Sequence, residues 1–159
     1  MSSRATRVLF VCLGNICRSP TAHAVFADQV AAAGLQQWVE VDSAGTGAWH
    51  VGEAPDARAT AAALRRGYDL SSLRARQVQP ADFARFDYVL AMDADNLANL
   101  QALAPPDFQG HLGLFLDFHP RPPVTEVPDP YYGGEDGFDR VLDLIEGASQ
   151  GLLHAITDP

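Results

Sequence analysis

Short apolar runs alternate with longer stretches of helical period along this chain, and the alternation predicts an α/β protein. Residues 8–11, Val-Leu-Phe-Val, are continuously apolar, as expected of a central parallel strand covered on both faces. Behind them Ala22, Val25, Phe26, Val30 and Ala33 recur at helical spacing, and Gly34 stands where a helix would end. Residues 38–42 alternate, which suits a strand with one wetter face, and a second helix is predicted over residues 56–66, closing at Gly67. Residues 88–92 read as another buried strand, 93–103 as a helix and 112–118 as a last strand. Phe138, Val141, Leu142, Ile145, Leu152 and Ile156 form the apolar stripe of a closing helix. Right-handed crossovers join these into a doubly wound, four-stranded parallel sheet flanked by helices, a single domain over residues 1–159. Such sheets bind ligands outside the carboxyl ends of their strands, so chemistry is expected in the loops 12–19, 43–55, 92–96 and 119–134.

Composition narrows the class further. With 47% hydrophobic and 19% charged residues the chain can build a core without disulfides or structural metal. Its two cysteines, Cys12 and Cys17, are too close together to staple a scaffold, and no zinc-ligand spacing is present, so no metal is expected. The net charge of −9, 20 acidic residues against 11 arginines, speaks against a nucleic-acid partner. The first apolar run is too short for a signal-peptide core, and no stretch approaches the ~18 apolar residues of a membrane helix. A cytoplasmic protein without a membrane partner is the expectation.

The segment Cys12-Leu13-Gly14-Asn15-Ile16-Cys17-Arg18-Ser19-Pro20 joins the first strand to the first helix. Ser19 suits an N-cap and Pro20 the first helical position, so the loop should open onto a helix N-terminus. Gly14 and Asn15 tolerate unusual dihedrals and let consecutive backbone N–H groups turn toward one point, a nest for an oxyanion. A cysteine at such a rim, facing a positive helix end and a guanidinium, is favoured as its thiolate. Arg18, six positions on, offers a planar fork for two phosphate oxygens. With eleven arginines in the chain the spacing alone is weak, and a cysteine ending a core strand is ordinarily inert. What sets Cys12 apart is the Gly-Asn turn, the helix start and the arginine within nine residues.

This window resembles the C-x5-R-S/T signature of the low-molecular-weight protein tyrosine phosphatases. The likeness extends through D-S-A-G-T, A-R-Q-V, F-D-Y-V-L-A-M-D and V-P-D-P-Y-Y-G, nearly the whole chain. The resemblance implies an enzyme that cleaves phosphotyrosine through a cysteinyl-phosphate, without metal or other cofactor, as a monomer or weak homodimer. Cys12 would be the nucleophile, with phosphate bound by residues Leu13, Gly14, Asn15, Ile16, Cys17 and Arg18. A phenolate leaves faster when protonated. Asp129 is on its own an Asp-Pro turn, but it matches the family's general acid and base. Tyr131, Tyr132 and Trp49 match the walls of the slot for the substrate ring, although adjacent tyrosines also serve as loop packing. A deep slot would exclude phosphoserine, whose shorter arm leaves its phosphorus short of the sulfur. His50 reads as a surface residue.

Asn15 and Ser43 match residues that brace the loop in the family, and Ser19 reads both as helix cap and as hydrogen-bond donor to the Cys12 thiolate. One departure stands out: where many members carry a histidine bonded to the loop asparagine, this chain has Leu73, which predicts a looser loop or a water in its place. Cys17 is either a small loop residue or, if near Cys12, a partner for a protective disulfide formed by peroxide.

Three other functions compete. A thioredoxin-coupled arsenate reductase needs relay cysteines, and none follows position 17. A phosphoarginine phosphatase of the same family looks to require threonine where this loop has Ile16. A silent phosphate-binding scaffold is at odds with Cys12, Arg18 and Asp129 standing together. The partner is expected to be a phosphotyrosine protein, an autophosphorylating bacterial tyrosine kinase among the candidates.

Overall fold

The computed structural model describes residues 5–121, 124–130 and 135–157. Strand β1 (Thr6–Cys12) is apolar and buried from Val8 to Cys12 because it lies inside a parallel sheet with helices on both sides. Its neighbours are β2 (Val39–Gly45) and β3 (Tyr88–Ala91), with β4 (His111–Leu114) beyond β3, giving the order β2-β1-β3-β4. Register is continuous from Thr6 opposite Val39 to Cys12 opposite Gly45, which aligns the ends of β1 and β2.

Successive side chains of β1 point to opposite faces and fill two separate cores. Val8, Phe10 and Cys12 join the layer built by α1 (Arg18–Ala32), α2 (Ala57–Leu64) and α5 (Glu135–Thr157). Leu9 and Val11 join Val89, Ala91, Phe83 and Leu100 beneath α3 (Asp82–Arg85) and α4 (Ala94–Leu103). Phe10 is fully buried and meets Phe26 and Phe115 edge to face, at centroid distances of 5.7 and 4.8 Å. Truncating such a residue typically costs about 3–5 kcal/mol.

Helix α1 ends as its sequence predicts, with Gly34 at φ +73° and Leu35 N donating back to Val30 O. Two other expectations are corrected. The last strand stops at Leu114, and residues Phe115–Phe118 form a 3-10 turn. Phe115 and Leu116 are adjacent and both buried in the α1/α5 core, which a period-two strand cannot arrange. The start of α1 also differs: it begins at Arg18 with Cys17 as N-cap, so Ser19 is inside the helix and does not cap it. Thr21 Oγ1 donates to Cys17 O at 2.6 Å in that first turn.

Candidate active site

Strands β2 and β3 flank β1 on opposite sides, so the chain reverses its winding there and opens a crevice at the carboxyl ends of β1 and β3. The loop from Cys12 to α1 lies in that crevice. Asn15 takes φ +57°, a left-handed turn that its short side chain permits. Three loop carbonyls are turned away by outside donors: Thr46 N to Cys12 O and Gly47 N to Leu13 O, both 2.9 Å, and Asp56 N to Ile16 O, 2.8 Å. That leaves amide hydrogens for the concave side, and Asn15 N donates to Cys12 Sγ at 3.3 Å. The end of β2 packs so closely behind the loop that a Cβ on Gly45 would stand 2.7 Å from Leu13 O and 3.1 Å from Asn15 N.

Cys12 is buried at the end of β1, with its sulfur 2.9 Å from Ser19 Oγ. Ser19 is held in turn: Asn15 Nδ2 donates to it at 2.8 Å, and its hydroxyl reaches Ala44 O at 3.3 Å. This explains the lost cap, since the Ser19 side chain serves tertiary partners. The α1 N-terminus adds first-turn amides without intrahelical acceptors and a positive dipole end. Arg18 is only 3% exposed. Its Nη1 donates to Asp93 Oδ2 at 2.6 Å and to Val127 O at 3.1 Å, while Nη2 stands 3.7 Å from Asp129 Oδ2. Burial works against its charge, but Cys12, Asp93 and Asp129 outweigh burial and raise its pKa above the ordinary arginine value. The guanidinium is thus a fixed cation, aimed by two elements that meet across the crevice.

A cavity of about 300 Å³ stands over the sulfur. Its floor is the loop, with Arg18 and Asp129 on one side and Trp49 and His50 on the other. Asp129 is part-exposed, its side chain at 39%, at the end of a segment anchored by Val127. Val127 is fully buried, and its N–H donates to Met92 O at 2.8 Å, tying that segment to the end of β3. Trp49 is 71% exposed and stacks above Gly47, where any Cβ would strike its ring. Tyr131 and Tyr132 lie outside the described residues.

The two cysteines of the loop differ. Burial pushes the Cys17 thiol far above the usual range, and Asp56, Cys12 and Asp129 push it the same way. Cys17 is thereby held as a neutral thiol.

Several sequence expectations take a different form here. Ser43 is buried, and its hydroxyl pairs with His23 Nδ1 at 3.0 Å, so this contact is to α1. Leu73 packs against the core, and Asn15 Oδ1 accepts from Arg76 N at 3.0 Å, so the loop asparagine is bonded without a histidine at position 73. His50 is part-exposed and lines the cavity beside Trp49, its ring against Gly14 and its Nδ1 3.0 Å from Glu53 Oε2. Asp93, Val127, Gly45 and Arg76 were not singled out by sequence. Each lies in a stretch that carries the family likeness, Gly45 in D-S-A-G-T, Arg76 in A-R-Q-V, Asp93 at the end of F-D-Y-V-L-A-M-D and Val127 at the start of V-P-D-P-Y-Y-G, but the likeness assigned none of them a role. Among the described residues, no cluster of three His, Cys, Asp or Glu side chains is placed to hold a metal ion.

A parallel α/β sheet with a Cys-x5-Arg anion loop at its switch point defines a class of phosphoryl-handling proteins that work through a thiol. The family model for low molecular weight phosphotyrosine protein phosphatase matches residues 7–158. A low-molecular-weight protein-tyrosine-phosphatase of Streptomyces coelicolor is 48% identical over 155 residues, 96% of this chain and 94% of that one. The crystal structure of a protein tyrosine phosphatase from Entamoeba histolytica superimposes with a TM-score of 0.93 at 42% identity, covering 97% of this chain and 98% of that one. An arginine phosphatase of Drosophila also superimposes, at TM-score 0.89 and 33% identity, over 95% of this chain and 98% of that one. The chain belongs to the low-molecular-weight phosphotyrosine protein phosphatase family, and as a member it is a phosphoric monoester hydrolase.

Proposed function

We propose that the protein hydrolyses phosphotyrosine on proteins, with Cys12 as nucleophile, Arg18 as phosphate clamp and Asp129 as general acid and base. The observation that carries this reading is the convergence of Cys12 Sγ, the Arg18 guanidinium and the Asp129 carboxylate on one cavity. In the first step the thiolate attacks phosphorus in line, the phosphorus–oxygen bond to tyrosine breaks, and Asp129 protonates the departing phenol oxygen. Arg18 and the loop amides of residues 13–18 hold the three non-bridging oxygens, stabilising charge that spreads over them in the transition state. In the second step Asp129 takes a proton from water, which attacks the cysteinyl-phosphate. Sulfur leaves as a thiolate that Ser19 stabilises by hydrogen bonding, and inorganic phosphate is released.

Trp49, with Tyr131 and Tyr132 by family resemblance, would flank the aromatic ring. The fold is shared with the Drosophila arginine phosphatase, so fold alone does not separate tyrosine from arginine substrates. Ile16, buried in the cavity floor, favours the apolar ring. We read the protein as a cytoplasmic monomer or weak homodimer whose substrates include an autophosphorylated tyrosine kinase. No helix among the described residues is long and apolar enough to cross a membrane.

The test is steady-state hydrolysis of a phosphotyrosine peptide, with phosphoserine and phosphoarginine peptides alongside and no added metal. Cleavage of phosphotyrosine alone by wild type, abolished in Cys12→Ser, is the expected result. Binding of phosphate without turnover of any of the three would replace it with the scaffold reading.

A further inference from the structure

The hydrogen bonds around Asn15 have a direction, and that direction is imposed from outside the cavity. A side-chain amide is ambiguous until a partner fixes which end is oxygen. Here the partner is the backbone N–H of Arg76, which can only donate, so the end facing it at 3.0 Å is Oδ1. The opposite end is then Nδ2, which donates to Ser19 Oγ at 2.8 Å. Ser19 has one lone pair occupied and keeps its own proton to give. A Cys12 thiolate can only accept, so the Ser19 proton then has two acceptors within reach, Cys12 Sγ at 2.9 Å and Ala44 O at 3.3 Å. One backbone amide thus fixes the orientation of Asn15, and with it the donor that Ser19 accepts beside the sulfur.

That amide is held by the side chain of the same residue. Arg76 Nη1 and Nη2 take Asp82 Oδ2 and Oδ1, both at 3.1 Å, and Nη2 also reaches Asp42 Oδ2 at 3.2 Å. The Asp82 side chain is only 9% exposed and is fixed by Gln79 N at 2.7 Å. Asp42, at the other side of the fork, is fixed by Ser43 N at 2.8 Å. Between these carboxylates the backbone of Arg76 is stitched to β2, where Gly45 N donates to Arg76 O and Val78 N to Gly45 O, both 2.8 Å. A bidentate pair on a nearly buried carboxylate fixes geometry in a way that an exposed ion pair does not. None of the three charged groups lines the cavity.

We propose that Arg76, clamped by Asp82 and Asp42, is a positioning residue for Cys12: it holds its own amide against Asn15, directs the Ser19 proton to sulfur, and thereby maintains the thiolate. The inference rests on Cys12 being the nucleophile. A purely architectural role would lower thermal stability and leave the sulfur's behaviour as it is.

The experiment is the rate of Cys12 alkylation by iodoacetamide as a function of pH, read on the Cys12 peptide by mass spectrometry, for wild type, Arg76→Gln, Arg76→Lys and Asp42→Asn. Loss of the fork in Arg76→Gln should move the profile toward higher pH and slow alkylation near pH 6 by about fivefold to tenfold, with kcat falling more than KM changes. Arg76→Lys, which keeps one charged donor, should recover part of the shift, and Asp42→Asn, which leaves the Asp82 bond pair intact, should show a smaller one. An unchanged profile in folded Arg76→Gln overturns the proposal. If that variant does not fold, unchanged profiles in both Arg76→Lys and Asp42→Asn overturn it equally. Turnover of the phosphotyrosine peptide by wild type is scored separately, so failure of the functional reading is told apart from failure of this one.

Discussion

The loop behind β1 and the segment before α5 face each other across one cavity, yet they are built differently. The first is bonded at nearly every residue: its carbonyls to residues 46, 47 and 56, its asparagine to Arg76, its sulfur to Ser19. The second is anchored at Val127, and two residues later presents Asp129 on a part-exposed side chain. The contrast follows from the chemistry proposed for each. Stabilising charge on a phosphoryl group requires donors already in place, because reorganising them would add to the barrier. Delivering a proton to a leaving oxygen requires reach and access to water, since the same carboxylate must later activate that water.

The largest effect should come from the rigid side. Cys12→Ser removes the thiolate and should lower kcat by about 10⁴-fold or more, with phosphate binding retained, as checked by single-turnover assay and phosphate titration. Asp129→Asn should cost roughly 10²–10³-fold in kcat for phosphotyrosine and far less for an aryl phosphate with an acidic phenol, which leaves without help. An equal loss on both esters would contradict proton donation by Asp129. Ser19→Ala should slow turnover by about tenfold, with hydrolysis of the cysteinyl-phosphate affected more than its formation, visible as a larger burst of phenol.

Smaller effects sharpen the contrast further. Cys17→Ala is expected to lose recovery after peroxide and reduction, because the neutral thiol beside Cys12 would no longer trap the oxidised sulfur as a disulfide; recovery equal to wild type removes that role. Stability should also depend on pH through His23. Burial lowers its pKa below 6.5, against the pull of Asp42. The unfolded chain therefore binds the proton first, and stability is lost as pH falls through 6.5. Urea unfolding of wild type and His23→Gln between pH 7.5 and about 5.5 should show the smaller slope in the variant.

Periodicity made most of the fold readable. β1 is apolar from Val8 to Cys12 because two cores need it, and Gly34 marks a helix end because φ is positive there. α3 is a single turn of four residues, too short to show a period. The 3-10 turn after Leu114 was hidden because Phe115 and Leu116 read as strand until their shared burial is known. In the site, Cys12 and Arg18 stand out in sequence by their pattern around a helix start, whereas Asp129 is an Asp-Pro turn on its own and is singled out only by the family resemblance. Asp93 Oδ2 holding Arg18 while its Oδ1 caps α4 at Asn96 N is a contact across 75 positions that no local pattern encodes. The Arg76 amide is harder still, since a backbone donor is the same in every residue but proline.

The close approach of Gly45 to the back of the loop sets a limit on how this site can diversify. The front of the cavity is made of side chains such as Trp49 and His50, and a saturation library there would return many functional variants with altered substrate preference. Behind the loop, at Gly45, main chain meets main chain, and there the smallest addition, a methyl group, meets Leu13 O at 2.7 Å. Drift in substrate choice is therefore open on one wall of the cavity, and closed on the other by the thickness of two backbones.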